Sequence, residues 1–376
     1  MATNNPWIEP IPNNMVWSNA ILVARGMAPY GAVALGEMEQ VCERLRARTS
    51  EPQAWWEEWS AMATRLEQRA DACEAAGHVI SAGNYYLRAG MYYFTAERFI
   101  HPGPDKRAMG VKSIDCQTKG ILRRYPNVER VEVPFEADHK NKSLPALFMK
   151  SPHATSKAPT IVVFNGMDNC KEMSVLFAGL EFARHGWHTL AIDGPGQGEA
   201  EYDIPICGDY ERAAHAVVDW IEKRRDLDKD RIAIWGVSLG GYYAPRAAAY
   251  EKRFKACIAL SGPYQWEQIW DDLPELTRDT FRVRSHSSDE KQAKEKARSL
   301  TMVEAAPKIT CPIFIVAGRQ DRLVPPAQAE QLAKNVNGPM ELMMVEDGGH
   351  NANNRPYRYR SRTADWLAGQ FGLPRI

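Results

Sequence analysis

The pattern of apolar and polar positions divides the chain near residue 125. Upstream of that point apolar residues recur at steps of three and four, the period of a helix with one buried face. Trp55, Trp59, Met62, Leu66, Ala70 and Cys73 form one such stripe. Ser50-Glu51-Pro52-Gln53 ahead of it has capping-box spacing, with Pro52 in the first turn, where its missing N–H costs nothing. Gly77 is expected to end that helix. Ala82, Tyr85, Tyr86, Ala89, Tyr92, Tyr93, Ala96 and Phe99 make a second stripe. No copy of the pair recurs at a fixed period, so a repeat array is not expected. Residues 1–125 are expected to form a helical N-terminal domain. Stripes this aromatic are too apolar for a free-standing tail, so the segment is expected to cover the domain that follows.

From Asn127 the rhythm changes. Val128–Phe135 and Leu144–Met149 are short apolar-rich runs separated by Asp, Lys and Asn, which predicts an antiparallel pair. Nearly continuous apolar runs then alternate with helical stretches: Thr160–Phe164, His188–Ile192, Arg231–Trp235, Ala256–Leu260, Ile313–Ala317 and Glu341–Val345. Strands buried on both faces read this way, and alternation with helices implies an α/β fold with a mostly parallel central sheet. The connection after the sixth strand is too long for an ordinary crossover, so a lid is expected at about residues 263–310 of a domain spanning 126–376.

The chemistry is concentrated at three strand ends. Gly236-Val237-Ser238-Leu239-Gly240 is a Gly-x-Ser-x-Gly motif between a strand and an alanine-rich helix. So sharp a turn strains the serine backbone, tolerates only glycine beside it, and leaves Ser238 Oγ exposed above the sheet as a nucleophile. Asp321 follows the strand Ile313–Ala317, and His350 follows the next strand in the loop Glu346-Asp347-Gly348-Gly349-His350. The order Ser, Asp, His is that of the α/β-hydrolase fold, with His350 as general base and Asp321 as its orienter. Oxyanion donors are expected at the backbone N–H of Leu239 and of Met167, the latter in the loop after the third strand. Asn169 and Glu172 beside it have capping-box spacing and are read as a helix start. His78, His185, His188 and His215 lie in or beside predicted helices and strands, where packing or solvent accounts for them.

Two glycine clusters are decoys. Gly194-Pro195-Gly196-Gln197-Gly198 lacks dinucleotide-binding spacing and a phosphate-binding Lys, so it reads as a turn. Gly236–Gly241 has P-loop glycines, but Tyr242 stands where Lys is required.

Composition narrows the partners. Lys plus Arg and Asp plus Glu number 47 each among 376 residues. This balance gives no electrostatic case for nucleic acid or an anionic membrane. Seven scattered cysteines, none in a Cys-x-x-Cys pair, argue against a disulfide framework or a zinc site. The start Met-Ala-Thr-Asn-Asn-Pro-Trp has no signal-peptide pattern, so a cytoplasmic protein is expected. No cofactor or metal is expected. The partner is a small-molecule substrate, and a homodimer is left open.

With the elbow, acid loop and Gly-Gly-His loop in place, the chain resembles the α/β-hydrolase superfamily over residues 128–376. A narrower likeness rests on Gly77-His78-Val79-Ile80-Ser81-Ala82-Gly83, the tyrosine-rich helix, Gly166-Met167-Asp168 with Lys171-Glu172, and Asp193 to Glu199. These resemble a two-domain group that includes 2,6-dihydroxypseudooxynicotine hydrolase and melanin-pathway polyketide-shortening hydrolases, with FrsA-like esterases more distant. The resemblance implies hydrolysis of a carbon–carbon bond next to a ketone in an aromatic or polyketide-like substrate. It also implies, in some members, an extra acid from the lid, for which Glu267, Asp271, Asp272 and Glu275 are candidates here. A carboxylesterase would use the same triad on an alkoxide leaving group. A ligand-binding hydrolase scaffold is the alternative from another class, and an intact triad counts against it.

Overall fold

The computed structural model describes residues 9–137, 139–154 and 157–373; the segment Met1–Trp7 lies outside them. The chain forms two compact units that meet between Pro126 and Asn127.

Among the described residues the first unit holds five α-helices: α1 (Met15–Arg25), α2 (Leu35–Arg46), α3 (Ala54–Ala75), α4 (Val79–Glu97) and α5 (Pro104–Arg124). α3 carries the expected stripe, but its first turn does not use the expected cap. The helix begins at Ala54 with no side-chain cap. The Glu51 carboxylate is engaged by Arg48 at 2.7 Å and Ala54 N–H bonds Glu51 O, so residues 51–53 close a separate turn. At the other end Gly77 adopts φ +76°, and the Gly77 and His78 N–H groups bond Glu74 O and Cys73 O. Those are the two bonds of a Schellman stop, which needs the left-handed conformation glycine supplies. α4 packs against both α3 and α5. Every residue from Ala89 to Glu97 is therefore buried, which a single stripe does not foretell. Trp55 lies 5.4 Å from Trp17 and 4.9 Å from Phe99, and its Nε1 donates to Thr95 O at 2.7 Å.

The second unit is built on eight strands: β1 (Val128–Ala137), β2 (Lys140–Met149), β3 (Thr160–Phe164), β4 (His188–Ile192), β5 (Ile232–Val237), β6 (Phe254–Leu260), β7 (Ile313–Gly318) and β8 (Met340–Val345). Their spatial order is β1-β2-β4-β3-β5-β6-β7-β8. β1 and β2 form the expected antiparallel pair, and everything from β4 to β8 runs parallel. β3 to β7 are buried almost throughout, as their unbroken apolar runs require. At the sheet edges β8 is exposed over its first half and buried only at Val345, while β1 alternates between buried and solvent-facing positions.

Between the strands lie α6 (Lys171–Ser174), a π-helical turn (Val175–Gly179), α7 (Leu180–Arg184), α8 (Glu211–Lys223) and α9 (Gly240–Tyr250). The lid after β6 holds α10 (Trp266–Ile269), α11 (Glu275–Arg284) and α12 (Glu290–Arg298); α13 (Pro326–Asn335) and α14 (Arg360–Gln370) complete the unit. Among the described residues no helix is long and apolar enough to cross a membrane.

The strand order positions the site. β4 lies to one side of β3 and β5 to the other, so the chain reverses direction across the sheet at the β3/β5 pair. A crevice at the carboxyl ends of the strands opens at such a switch point. Phe164 of β3 pairs with Gly236 of β5, so the segments that leave these two strands emerge side by side.

Candidate active site

The elbow forms because two backbones must nearly touch. A Cβ at Gly236 would stand 1.9 Å from Gly240 O, which no side chain survives. Between them Ser238 takes φ +57°, a conformation that costs a non-glycine residue on the order of 1–3 kcal/mol. The strain is held by Ser238 N–H to Leu260 O at 2.8 Å and Gly241 N–H to Ser238 O at 2.7 Å. Leu239 then leads into α9, with its N–H at the positive end of the helix dipole.

The acid and histidine loops are also tied together by backbone. Arg319 N–H bonds Val345 O and Gln320 N–H bonds Gly348 O, which draws the exits of β7 and β8 against each other. The result is a continuous relay. Ser238 Oγ lies 2.9 Å from His350 Nε2, and His350 Nδ1 lies 2.8 Å from Asp321 Oδ2. The second oxygen, Asp321 Oδ1, accepts from Leu323 N–H and Val324 N–H, both at 2.9 Å. The Asp321 side chain is fully buried, while His350 keeps 22% of its side-chain surface. A carboxylate accepting from Nδ1–H leaves the Nε2 lone pair facing the serine hydroxyl, the tautomer a general base needs. The nearest rival acid in sequence, Asp347, is turned away: it pairs with Arg355 at 2.6 Å, which holds its carboxyl below the usual range.

The loop after β3 lies against Ser238. A Cβ on Gly166 would be 3.1 Å from Ser238 Cβ and 3.7 Å from its Oγ. Met167, next in the loop, is buried. The expected capping box does not form: α6 starts after Cys170, which makes no side-chain cap, and the Glu172 carboxylate instead meets Lys171 Nζ at 2.9 Å.

Lys171 belongs to a buried polar cluster that sequence reasoning missed. Its Nζ lies 3.1 Å from Asp193 and 3.3 Å from Glu199, and Lys171, Glu172 and Asp193 are all fully buried. Asp193 also accepts from Asn165 Nδ2 and Lys171 N–H, both at 2.7 Å. Burial opposes the Lys171 charge, but Asp193, Glu172 and Glu199 outweigh it and raise its pKa. Burial pushes the Asp193 carboxyl up to about 7, with Glu172 adding to the effect against Lys171. Burial likewise works against Glu199, yet Arg130 and Lys171 hold it below the usual carboxylate range. The available signal was an Asp placed directly after the buried strand β4 and a Lys-Glu pair opening the helix that follows the buried strand β3, where solvent is scarce.

The four lid carboxylates are placed differently. Glu267 pairs with Arg298 at 2.7 Å and Asp271 with Lys294 at 2.8 Å, both within the lid. Asp272 and Glu275 are exposed. These placements give the extra-acid expectation no support. Of the other histidines weighed in the sequence, His78 is exposed and three have structural partners. His188 Nδ1 accepts from Ser151 N–H at 3.1 Å, His185 meets Asp365 at 3.3 Å, and His215 meets Glu251 at 2.6 Å.

This sheet, with its elbow at the end of β5, defines an α/β hydrolase, and the chain is a hydrolase. Within that class it is similar to 2,6-dihydropseudooxynicotine hydrolase of Paenarthrobacter nicotinovorans, at 29% identity over 83% of each chain. The crystal structure of the 2,6-dihydroxy-pseudo-oxynicotine hydrolase superposes with a TM-score of 0.81 at 28% identity, covering 94% of this chain and 98% of that one. The 20-hydroxy-prefusarin hydrolase of Gibberella moniliformis is 30% identical over 67% of this chain, and the match spans 60% of that relative's length. Residues 213–373 match the prolyl oligopeptidase family and residues 129–272 the X-Pro dipeptidyl-peptidase (S15) family.

Proposed function

We propose that the chain hydrolyses a carbon–carbon bond next to a ketone in an aromatic or polyketide-like small molecule, through Ser238, His350 and Asp321. The observation that carries the reading is the unbroken hydrogen-bonded relay from Ser238 Oγ through His350 to buried Asp321. His350 Nε2 takes the serine proton as Oγ bonds to the ketone carbon. The Leu239 and Met167 N–H groups receive the oxyanion, each contributing roughly 3–4 kcal/mol if it behaves as such donors do elsewhere. The carbon–carbon bond then breaks, its electron pair goes to the leaving carbon, and the imidazolium of His350 protonates that carbon. Water, deprotonated by His350, attacks the acyl-serine and releases a carboxylic acid. A carbon leaves only when its charge is delocalised, so the leaving side must carry a second carbonyl or a hydroxylated ring. The names of the relatives, a pseudooxynicotine hydrolase and a prefusarin hydrolase, support a ring-bearing or polyketide-like substrate.

Incubation with a panel of aryl 1,3-diketones and matched aryl esters tests the reading by product analysis. Formation of an aryl carboxylic acid and a methyl ketone from a diketone is expected. Turnover confined to the esters would make the protein a carboxylesterase with the same triad.

A further inference from the structure

The glycine-rich turn after β4 has no role in the relay, yet its one long side chain is aimed at the loop beside the nucleophile. Gln197 is fully buried. Its Nε2 donates to Asn165 O and, at 3.2 Å, to Gly166 O. Its Oε1 accepts from Tyr210 OH at 2.6 Å and from Gly194 N–H at 3.3 Å. Tyr210 in turn is stacked on Tyr243 of α9, with ring centroids 3.6 Å apart and planes within 9°. The amide therefore cannot rotate without breaking bonds at both ends.

The acceptor matters more than the number of bonds. Gly166 C=O and Met167 N–H belong to one peptide group, which is planar and trans, so its oxygen and hydrogen point in opposite directions. A donor that grips Gly166 O sets the direction of Met167 N–H on the far side. It also polarises the peptide, which makes that N–H a stronger donor. The Asn165 side chain fixes the other end of the same loop. Its Nδ2 donates to Asp193 at 2.7 Å and to Ile192 O at 3.2 Å, while its Oδ1 accepts from Ser174 Oγ. The loop is thus held from behind by buried groups of β4, α6 and the turn after β4, while its front lies against Ser238.

We propose that Gln197 is a positioning residue that aims the Met167 N–H at the oxyanion, with Tyr210 as its clamp; this rests on the reading of Ser238 and Met167 given above. Preorganised donors stabilise charge that develops only in the transition state. Loss of the aim should therefore lower kcat and leave ground-state binding nearly untouched.

Gln197→Met keeps the length of the side chain and removes its N–H groups. With p-nitrophenyl acetate, kcat should fall about 10- to 100-fold while KM stays within about threefold. The affinity for benzeneboronic acid, whose serine adduct is tetrahedral and anionic, should weaken by a similar factor. A purely structural role would lower the melting temperature and leave the boronate affinity and kcat of the folded protein unchanged, and that result overturns the proposal. Should Gln197→Met fail to fold, Tyr210→Phe removes one hydroxyl from the clamp and should lower kcat several-fold with KM held; unchanged kcat there also overturns it. Fluorophosphonate labelling of the wild-type protein separates the two levels. If Ser238 is labelled and the variants keep full kcat, only the role of Gln197 falls. If the label sits on another residue, the nucleophile assignment falls and this inference with it.

Discussion

At the scale of single residues, two acids compete in sequence for the role of orienting His350, Asp321 and Asp347. Asp321 is buried and spends one oxygen on two backbone N–H groups and the other on the imidazole. Asn at that position would keep most of this geometry but present an amide N–H or a weaker acceptor to Nδ1, favouring the wrong tautomer. Asp321→Asn is expected to lower kcat by about ten-thousandfold, as the same change does in other serine triads. Asp347→Asn, which disturbs the pairs with Arg355 and Arg358, should leave kcat within about twofold of wild type. The opposite ranking in steady-state kinetics would mean that the acid has been misassigned.

Asp193 makes a second residue-scale prediction. Its carboxyl is pushed from the ordinary 3.8 to about 7 in the folded chain. Between those values the folded state holds a proton that the unfolded state has lost. The contribution to stability is therefore full below the ordinary value and is lost as pH rises through about 7. Melting temperatures measured between about pH 5 and pH 8 should fall with rising pH. The slope should be flatter in Asp193→Asn, and an identical slope in the two proteins would show that another group controls it.

At the scale of elements, the strand–turn–helix around Ser238 is the least forgiving. A methyl group on residue 236 would collide with the backbone of residue 240, 1.9 Å away, so the turn would have to open. Gly236→Ala is expected to destabilise the fold by about 3 kcal/mol or more, above the usual range for one added methyl, because the obstacle is backbone. Thermal unfolding checks this, and a melting temperature within about two degrees of wild type would contradict it. The same element explains what could be read without a structure. The inner strands of the parallel sheet were legible because burial on both faces demands a largely apolar run, and Ile232–Val237 and Ile313–Gly318 show it plainly. The elbow was legible because its steric demand writes glycine at fixed offsets. Capping was not: Gln53 and Glu172 sit three residues after Ser50 and Asn169, at capping-box spacing, but α3 begins only at Ala54 and Lys171 holds the Glu172 carboxylate. Nor was Gln197, since nothing local records that a turn after one strand will grip the loop after another. Such a contact depends on the order of strands in space, which the apolar pattern leaves open.

At the scale of the whole molecule, the helical unit has aromatic packing of its own. Trp17, Trp55, Trp59, Tyr92 and Phe99 form a connected group of rings with centroids 4.9–5.7 Å apart. The fragment ending at Pro126 is expected to fold alone. Circular dichroism should show helix, and urea should unfold it in one cooperative step. A fragment without a cooperative transition would mean that this packing is not self-sufficient.

The central claim is that Ser238 is the nucleophile of a hydrolase relay. Its most direct measurement is covalent labelling with a fluorophosphonate, located by peptide mass spectrometry. About one equivalent of label is expected on Ser238. No labelling of Ser238→Ala is expected, and labelling of His350→Ala should be slowed by at least about a thousandfold, because Oγ then lacks its base. Stoichiometric label on any other residue, or undiminished labelling of Ser238→Ala, would contradict the assignment of Ser238.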